Sequence, residues 1–247
     1  MSKGNALVKG NALVTGASAG IGAATVRALV ADGWTVHMTA RRAERLKDLA
    51  AETGAVAHVI DAADQIVMAA LVSEVPFDLI VANAGAGAAM TALTDAGPSE
   101  IAQLVTLNVT SVLQLISAAL PGMAARRRGH VITLGSVSGL YPTGSTLYGA
   151  TKHAVRGMVR NLRIEALGQG VRFTDIQPGR VRTEFYDVAV KDAAKRDAIK
   201  ETGIDELAPD DVAEAIRWAA AQPAHVNVTA LEIAPTDQAY GGARFPE

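Results

Sequence analysis

A tyrosine and a lysine four residues apart form the pair of side chains best suited to proton transfer. They lie in the stretch SVSGLYPTGSTLYGATK (136–152), where a helical pattern places Tyr148 and Lys152 on one face. A tyrosine hydroxyl titrates near pH ~10, and a neighbouring ammonium favours the phenolate and lowers that pKa. Ser136, at the end of the preceding strand, supplies a hydroxyl that can orient a substrate carbonyl. The tyrosine–lysine spacing is common on helix surfaces, so its meaning depends on what else reaches the same volume.

A glycine-rich turn near the start of the chain has the composition of a phosphate-binding loop. The segment TGASAGIG (15–22) follows a short apolar run and opens a helical pattern, with Gly16, Gly20 and Gly22 as its glycines. Glycine permits a tight turn and a close approach of backbone N–H groups to a pyrophosphate at a helix N-terminus. The spacing differs from the usual G-x-G-x-x-G fingerprint. The position of the turn, between the first strand and the first helix, therefore carries the prediction of dinucleotide binding.

The residues after the second predicted strand indicate which dinucleotide is bound. Units that bind NAD usually place an acidic residue about 20 positions beyond the glycines, whereas an arginine there accommodates the 2′-phosphate of NADP. The chain reads Thr39-Ala40-Arg41-Arg42 and has no carboxylate at this point. Surface exposure alone would explain both arginines, but two cations at a helix start oppose the helix dipole and call for a compensating partner. NADP(H) is therefore predicted over NAD(H).

Alternating strand and helix patterns along the chain position these motifs. Most strand candidates are continuously apolar, as expected when helices cover both faces of a parallel sheet. The predicted strands are residues 12–15, 35–39, 56–60, 79–82, 130–134, 172–176 and 229–233. The predicted helices are residues 21–32, 43–52, 65–74, 99–120, 146–167 and 210–221. The pattern predicts an α/β fold, a single doubly wound Rossmann-type domain with a seven-stranded parallel sheet.

Composition excludes several other classes of protein. The chain has 247 residues, 49% of them hydrophobic, and a formal net charge of −2, which argues against a nucleic-acid binder. It has no cysteine, and its five histidines show no metal-ligand spacing, so no metal site is predicted. No apolar run reaches the roughly 20 residues of a membrane span, and the N-terminus lacks a secretory signal pattern. We expect a cytoplasmic protein without a membrane partner.

The hexapeptide KGNALV occurs twice, at 3–8 and 9–14, and only the second copy leads into the glycine turn. A strand of about five residues needs only residues 11–15. We therefore predict that residues 1–10 form an N-terminal extension that is frayed, and that residues 11–247 form the single domain. An added edge strand or an intersubunit arm is the alternative for the first copy.

Taken together, the motifs resemble those of the short-chain dehydrogenase/reductase family over nearly the whole chain. The matching segments are TGASAGIG (15–22), Asp61 after the third strand, Asn83-Ala84-Gly85 after the fourth, Asn108 in the long helix, Ser136, Tyr148 to Lys152, and Pro178 to Thr183. Their combination in this order is highly specific. Within the family, the resemblance is greatest to the NADP-dependent serine and 3-hydroxy acid dehydrogenases, in the stretches at 147–152, 161–163, 174–176, 183–185, 223–227 and 231–232.

The resemblance implies a catalytic role for four residues. Tyr148 would be the general acid in carbonyl reduction and the base in alcohol oxidation. Lys152 would hold the nicotinamide ribose and lower the pKa of the tyrosine. Ser136 would bind the substrate oxygen, and Asn108 would support a water that relays protons from Lys152. Asn108 as a buried polar residue that bends its helix is the alternative.

The resemblance also implies a set of cofactor contacts. Asp61 would contact the adenine, Asn83 the adenosine side, and Val181 and Thr183 the nicotinamide carboxamide. Asp61 as the cap of the following helix is the alternative. The full set of implied cofactor-binding residues is Gly16, Ser18, Ala19, Gly20, Ile21, Gly22, Arg41, Arg42, Asp61, Ala62, Asn83, Ala84, Gly85, Tyr148, Lys152, Pro178, Gly179, Val181 and Thr183.

Two features depart from the family pattern. The loop between serine and tyrosine is one residue shorter than in most relatives, so the catalytic serine is assigned to Ser136 and Ser138 is placed in the pocket wall. Ala19 stands where some NADP-dependent relatives carry a basic residue, so selectivity for the phosphate must rest on Arg41, with Arg42 as a second candidate.

The substrate side is predicted from a polar, helix-prone segment at 184–202, where family members carry a mobile lid. Phe185 and Tyr186 are expected to form pocket walls. Arg180 and Arg182 are candidates to bind a substrate carboxylate bidentately, and solvent or a cofactor phosphate is the alternative partner. The expected reaction interconverts a small alcohol, a 3-hydroxy acid or a similar compound, with its aldehyde or ketone.

Other functions share these motifs. A 3-oxoacyl carrier-protein reductase would need a basic docking patch beside the pocket, and a broad aldehyde/ketone reductase would have less selective walls. An NADP(H)-sensing binding protein on this fold would keep the glycine turn without chemistry, which the intact Ser136, Tyr148 and Lys152 make the weakest alternative. The family implies a homotetramer, formed through the two long helices and the final strand.

Overall fold

The computed structural model describes residues 9–87, 93–142, 144–190, 192–201 and 203–238. Most of the predicted N-terminal extension and most of the C-terminal tail therefore lie outside the described residues. The second hexapeptide leads directly into the sheet. Lys9 Nζ pairs with Asp32 Oδ1 at 2.9 Å, and the Gly10 carbonyl accepts a hydrogen bond from Thr35 N. The first strand then begins at Asn11.

The described residues form seven strands whose ends lie within two residues of the predicted ones. The strands are β1 Asn11–Thr15, β2 Thr35–Ala40, β3 Val56–Val59, β4 Phe77–Ala82, β5 Gly129–Leu134, β6 Val171–Pro178 and β7 Ala230–Ile233. All pair in parallel, in the order β3-β2-β1-β4-β5-β6-β7. The order reverses between β1 and β4, and ligands of open α/β sheets bind beyond the carboxyl ends of the strands at such a point. The predicted doubly wound sheet is confirmed.

Helices connect the strands and cover both faces of the sheet. They are α1 Gly20–Ala31, α2 Ala43–Thr53, α3 Gln65–Glu74, α4 Pro98–Val105, α5 Ser111–Ala125, α6 Thr146–Glu165, α7 Phe185–Ala189, α8 Ala193–Lys200 and α9 Pro209–Ala220. Successive strand residues contribute to opposite faces, as the pleat requires. On β4, Leu79 and Val81 pack in one apolar cluster with α1, α2 and α9, whereas Ile80 and Ala82 pack in the other with α3, α5 and α6.

The helix predicted at residues 99–120 is longer and is interrupted. Five residues of π-helix, Thr106–Thr110, separate α4 from α5, and α5 continues to Ala125 despite Pro121. By length and composition, the stretch Pro98–Ala125 could cross a membrane, contrary to the sequence-based expectation that no apolar run is long enough. In the fold, it buries Leu115, Ile116 and Met123 in the core, so its apolar character is that of a core helix.

Candidate active site

The glycine turn has the backbone shape that its composition predicts. Gly16 and Gly20 have φ angles of 68° and 52°, in the left-handed region that favours glycine. A Cβ on Gly22 would lie 2.5 Å from the Gly16 carbonyl oxygen, and one on Gly16 would lie 2.8 Å from the Ala84 Cα. The turn therefore leaves a space against its backbone that any side chain would fill. This cradle, at the start of α1, fits a pyrophosphate group.

Asn83, immediately after β4, holds this turn in place. Its Nδ2 donates to the carbonyls of Thr15 at 2.8 Å and of Gly16 at 3.2 Å. The next residue, Ala84, donates its backbone N–H to Thr15 Oγ1 at 3.0 Å. The predicted Asn83-Ala84-Gly85 segment is thus brought against the turn across the switch point of the sheet. Sequence reasoning included Thr15 in the turn motif but gave it no role, although a hydroxyl at the buried end of the strand was the available signal.

Three arginines and one glutamate lie where the 2′-phosphate site was predicted. Arg42 Nε donates to Ser18 Oγ at 2.9 Å, and its Nη1 donates to Glu184 Oε2 at 2.8 Å. Arg45, which sequence reasoning missed, donates from Nη1 to both Glu184 oxygens, at 2.7 and 2.9 Å. Arg41 is the most exposed of the three and lies 3.8 Å from the Asp61 carboxylate. The basic cluster predicted from two arginines therefore contains a third arginine and an anionic partner.

Asp61 follows β3 at the same edge of the sheet. Its Oδ1 accepts a hydrogen bond from the Ala63 N–H at 3.0 Å, which closes a local turn and presents the carboxylate beside Ala62. The cap of α3 is instead Asp64, whose Oδ1 accepts from Val67 N at 3.2 Å. The alternative interpretation of Asp61 as the helix cap is therefore wrong, and its contact with adenine stays a prediction.

Tyr148 and Ser136 meet beyond the carboxyl end of β5. The phenol of Tyr148 and the Ser136 hydroxyl form a hydrogen bond, which acts to lower the tyrosine pKa. Burial acts more strongly in the opposite direction, and the pKa of Tyr148 lies above its usual value. The Ser136 hydroxyl also accepts from Ser138 N at 3.1 Å, which closes the short turn Val137–Gly139. The assignment of the catalytic serine to Ser136, with Ser138 beside it, is consistent with this geometry.

Lys152 lies one helical turn from Tyr148 and is buried. Its Nζ donates to the Leu134 carbonyl at 2.6 Å and lies 5.6 Å from the centre of the Tyr148 ring. Burial lowers the pKa of Lys152 from 10.5 to about 8, partly offset by the negative charge of Asp175. The sequence predicted a lowered pKa for Tyr148, but burial raises it, more strongly than the hydrogen bond with Ser136 lowers it.

Asp175 is a second buried ionisable group near the lysine, and sequence reasoning assigned it no role. It accepts hydrogen bonds from Thr133 Oγ1 at 2.9 Å and from Gln177 Nε2 at 2.7 Å. Burial raises its pKa, and these two hydrogen bonds and the charge of Lys152 act to lower it. A Cβ on Gly135 would lie 2.6 Å from Asp175 Oδ1, so the carboxylate packs directly behind the residue that precedes Ser136. A carboxylate within a buried strand was the signal in the sequence.

Asn108 lies at the centre of the π-helical turn and is 2% exposed. Its amide exchanges two hydrogen bonds with the backbone of Ala86, each of 2.9 Å, and donates to Thr151 Oγ1 at 3.1 Å. Single π-turns inside α-helices are frequent at functional sites. Asn108 therefore ties the segment after β4 to α6, beside Lys152. Its support of a relay water stays a prediction.

The predicted pocket walls lie against Tyr148, the predicted catalytic tyrosine. The Phe185 ring lies 5.5 Å from the Tyr148 ring and 5.4 Å from the Tyr186 ring. A Cβ on Gly87 would lie 2.5 Å from Phe185 Cζ, so this glycine makes room for the aromatic side chain. Thr183 contacts the glycine turn, because a Cβ on Gly20 would lie 3.0 Å from Thr183 Cγ2.

The remaining residues predicted to contact substrate or cofactor lie between the end of β6 and α7, and they differ in their burial and hydrogen-bond partners. Arg180 Nε pairs with Glu206 Oε1 at 2.8 Å, and its guanidinium lies 5.0 Å from the centre of the Tyr186 ring. Arg180 is therefore already bound to a carboxylate of the chain. Arg182 is exposed, and its backbone N–H donates to the Leu207 carbonyl. Val181 is buried. Pro178 ends β6, and the next residue, Gly179, donates its backbone N–H to the Ile233 carbonyl at 2.7 Å.

A cavity of about 150 Å³ lies at the opposite edge of the sheet. Its lining includes Trp34 before β2, His130 at the start of β5 and Arg172 at the start of β6. These positions are at the amino ends of the strands, away from Tyr148 and the glycine turn. Arg172 donates to carbonyls at the end of α9, including Ala219 and Ala220, so it fastens that helix to the sheet. We therefore assign the site to the carboxyl edge despite this cavity.

Comparison with known proteins identifies the family to which the chain is similar. The short chain dehydrogenase family matches residues 10–194. The chain is 37% identical over 235 residues to the NADP-dependent 3-hydroxy acid dehydrogenase YdfG of Escherichia coli (strain K12), covering 92% of this chain and 95% of the relative. It is 35% identical to serine 3-dehydrogenase of Agrobacterium fabrum, covering 92% of this chain and 94% of the relative.

A solved structure gives the same answer at the level of the fold. The closed form of serine dehydrogenase complexed with NADP+ superimposes with a TM-score of 0.89 at 35% identity, covering 96% of this chain and 99% of that chain. The family match spans well over half of the chain. The chain therefore belongs to the short-chain dehydrogenase family.

Proposed function

We propose that this protein is an NADP(H)-dependent oxidoreductase that interconverts a small 3-hydroxy acid, or a similar alcohol, and its aldehyde or ketone. One observation carries the proposal: the phenol of Tyr148, the hydroxyl of Ser136 and the ammonium of Lys152 converge beyond the carboxyl end of β5. That position adjoins the switch point of the sheet, where the glycine cradle lies. The protein is expected to act on small molecules in the cytoplasm.

Ser136 and Tyr148 have different roles in carbonyl reduction. The bound nicotinamide cofactor supplies the hydride in reduction and accepts it in oxidation. Ser136 donates a hydrogen bond that orients the substrate oxygen. Tyr148 donates its proton to that oxygen as negative charge develops there, and takes it back in the oxidative direction. Because burial raises the Tyr148 pKa, the phenol is protonated at neutral pH and is ready to act as an acid.

Lys152 provides the positive charge that makes proton loss from Tyr148 easier. Its pKa of about 8 leaves most of it charged at pH 7. Leu134 accepts one hydrogen bond from Nζ and leaves the other two donors of the ammonium for the ribose hydroxyls of the cofactor. Asn108 holds the segment after β4 against α6 and so fixes the wall beside Lys152.

The basic cluster favours NADP(H) over NAD(H). Arg42 and Arg45 present two guanidinium groups at the start of α2, and a guanidinium binds phosphate bidentately. The two residues directly after β2 are Arg41 and Arg42, so this point has no carboxylate to accept the ribose 2′-hydroxyl of NAD. The same choice of cofactor is supported by two of the proteins named above. The 3-hydroxy acid dehydrogenase is named as NADP-dependent, and the structure of serine dehydrogenase is complexed with NADP+.

The substrate class rests on the relatives and on the pocket walls. Relatives that share most of the chain are named for 3-hydroxy acids and for serine, both of which carry a carboxylate. Arg182 is exposed and precedes the aromatic residues Phe185 and Tyr186 by a few positions in the chain, and we assign to it the recognition of that carboxylate. A broad carbonyl reductase would use the same catalytic residues without needing Arg182.

We also propose a homotetramer built through the long helices. Leu113 on α5 and Ile164 on α6 are large apolar side chains that are 45% and 74% exposed, on the two helices predicted to meet between subunits. Single exposed apolar side chains also occur on monomers, so the proposal rests on their place on these two helices. Light scattering on the purified protein gives the mass directly, and a monomer of 25.5 kDa would contradict the proposal.

The test of the activity is absorbance at the nicotinamide band with NADPH or NADH and a panel of short semialdehydes, ketoacids and apolar ketones. Tyr148→Phe should reduce turnover by roughly 10²- to 10⁴-fold while leaving NADPH binding intact. Tyr141→Phe is the matched control, since its hydroxyl donates to Glu232 at 3.1 Å on the surface and should not change turnover. Turnover that survives in Tyr148→Phe would refute the proposed role, and ranking of the panel separates an acid-specific enzyme from a broad reductase.

A further inference from the structure

Glu184 brings the segment that precedes α7 into contact with the first turn of α2. Its two oxygens accept three hydrogen bonds, one from Arg42 at 2.8 Å and two from Arg45 at 2.7 and 2.9 Å. The two arginines are three residues apart, so they lie on one face of the helix start. The contact spans 142 residues of sequence between Arg42 and Glu184.

The same arginines belong to the cofactor side of the molecule. Arg42 also donates from Nε to Ser18 Oγ at 2.9 Å, and Ser18 lies within the glycine turn. Arg41, the next residue along, lies 3.8 Å from Asp61 at the end of β3. Three guanidinium groups at one helix start oppose the helix dipole, so this place favours an anion. In the structure, the anion that reaches Arg42 and Arg45 is the carboxylate of Glu184.

A carboxylate and a phosphate offer arginine the same kind of partner. Both present pairs of oxygens to the guanidinium fork, and a phosphate monoester carries up to two negative charges against the single charge of a carboxylate. The side chains of Arg42, Arg45 and Glu184 are 44%, 47% and 46% exposed. Ion pairs this exposed contribute little to stability, so a stronger anion can replace one of the partners.

From this geometry we propose that Glu184 occupies the two arginines that receive the 2′-phosphate of NADP(H), and that the phosphate must displace it to bind. Arg45 is then a specificity-determining residue alongside Arg42, and Glu184 is an internal competitor of the phosphate. This inference rests on the proposed function, because it assigns the 2′-phosphate to the basic cluster.

Displacement of Glu184 from the two arginines would affect the segment that packs against Tyr148. Glu184 directly precedes Phe185, whose ring lies 5.5 Å from the ring of Tyr148 and fills the space beside Gly87. Release of Glu184 removes one of the attachments of α7 next to the catalytic tyrosine. NAD(H) has no 2′-phosphate and cannot compete for the arginines, so only the phosphorylated cofactor would release this attachment.

The experiment measures nucleotide binding by calorimetry, with adenosine 2′,5′-bisphosphate and 5′-ADP as probes. Glu184→Gln keeps the size of the side chain and removes its charge. It should tighten binding of adenosine 2′,5′-bisphosphate by roughly two- to tenfold and leave the affinity for 5′-ADP unchanged. Arg45→Gln should weaken binding of the bisphosphate by roughly tenfold, again without a change for 5′-ADP.

Asp187→Asn is the matched control. Asp187 is a carboxylate on α7 that pairs with Lys200 and Arg196 instead of the cofactor arginines, so its variant should bind both probes as the wild type does. Circular dichroism and thermal unfolding establish that each variant is folded.

Each outcome decides between the hypotheses. If Glu184→Gln binds the bisphosphate as tightly as the wild type or less tightly, Glu184 supports the arginines instead of competing, and the inference is wrong. In that case the proposed function would stand, provided that the wild type prefers the bisphosphate to 5′-ADP. If the wild type shows no such preference, the assignment of the phosphate to this cluster and the NADP(H) specificity fail together.

Discussion

Two clusters of side chains lie at the same edge of the sheet but in different surroundings. The catalytic cluster comprises Ser136, Tyr148 and Lys152, and the arginine cluster is the basic cluster of Arg41, Arg42 and Arg45 with Glu184. Lys152 is 8% exposed, and its ammonium is held by a backbone carbonyl. The side chains of Arg45 and Glu184 are close to half exposed and are held by each other. Water is therefore largely excluded from one cluster and reaches the other freely.

This difference separates two ways of placing charge. In the catalytic cluster, burial sets the pKa values: it raises that of Tyr148 and lowers that of Lys152 to about 8. In the arginine cluster, the hydrogen bonds from Arg42 and Arg45 are what lower the pKa of Glu184. Buried groups keep one arrangement at a cost in stability, whereas exposed pairs can exchange partners at little cost.

The largest effect should come from Lys152→Met, which removes the buried charge and keeps most of the side-chain volume. Turnover should fall by at least about a hundredfold. Stability at pH 7 should rise, because the folded protein holds an ammonium whose pKa is lowered from 10.5 to about 8. That difference corresponds to about 3 kcal/mol, from which the lost hydrogen bond to Leu134 subtracts about 1–2 kcal/mol. Denaturant unfolding measures the net change.

The lowered pKa of Lys152 also predicts how the stability difference between Lys152→Met and the wild type changes with pH. A lowered lysine pKa means that the folded state binds fewer protons than the unfolded state between pH 8 and pH 10.5. The penalty of the wild type is complete below pH 8 and disappears as the pH rises towards 10.5, so the advantage of Lys152→Met should shrink over that range. Lys47→Met, at an exposed lysine, is the control and should show no such trend. A variant less stable than the wild type at pH 7 would contradict the prediction.

The catalytic cluster was largely predictable from the sequence, because its geometry is local. The spacing of Tyr148 and Lys152 on one helix face follows from the helical repeat, and the glycine turn follows from its position after β1. The link between Ser136 and Tyr148 needs only a short turn between β5 and α6. Continuous apolar runs also placed the strands within two residues of their ends, and the helical repeat placed most helices equally closely.

The arginine cluster was only half predictable, because its partner is remote in the sequence. Arg42 was found from its place after β2, but Arg45 sits in an ordinary helical run, and Glu184 lies 139 residues further on. No periodicity joins two exposed residues across that distance. The π-helical turn at Asn108 was missed for a related reason, since the apolar pattern of the long helix continues through it. Composition likewise could not reveal that burial is the largest influence on the Tyr148 pKa.

Asp175→Asn should test whether a buried charge controls the catalytic cluster, because Asp175 lies next to that cluster and is not predicted to contact the substrate. Asp175 acts on Lys152 through its negative charge, which raises the pKa of the lysine. Removing that charge should lower the Lys152 pKa, so the alkaline limb of the pH–rate profile should move to lower pH. The amide retains an acceptor for Thr133 Oγ1. We therefore expect KM to stay close to the wild-type value while the alkaline limb of the pH–rate profile moves.

A purely structural role would give a different result for Asp175→Asn. Turnover would then fall equally at every pH, and the profile would keep its shape. Asp175→Glu restores the charge and is the rescue variant, although Gly135 leaves little room for the longer side chain. An alkaline limb that moves to higher pH in Asp175→Asn would contradict the assigned coupling to Lys152.

The smallest effect should be the coupling between Arg45 and Glu184 in the cofactor-free protein. A double-mutant cycle with Arg45→Gln and Glu184→Gln, measured by denaturant unfolding, should give a coupling of under about 1 kcal/mol, because both side chains are nearly half exposed. Raising the salt concentration from 0.05 to 0.5 M should reduce it further, since the Debye length falls well below 10 Å. The alkaline limb of the pH–rate profile, which reports buried Lys152, should stay where it is over the same salt range. A coupling that resists salt would mean that Glu184 is held as firmly as the buried lysine, and the phosphate could then displace it only at a large cost in affinity.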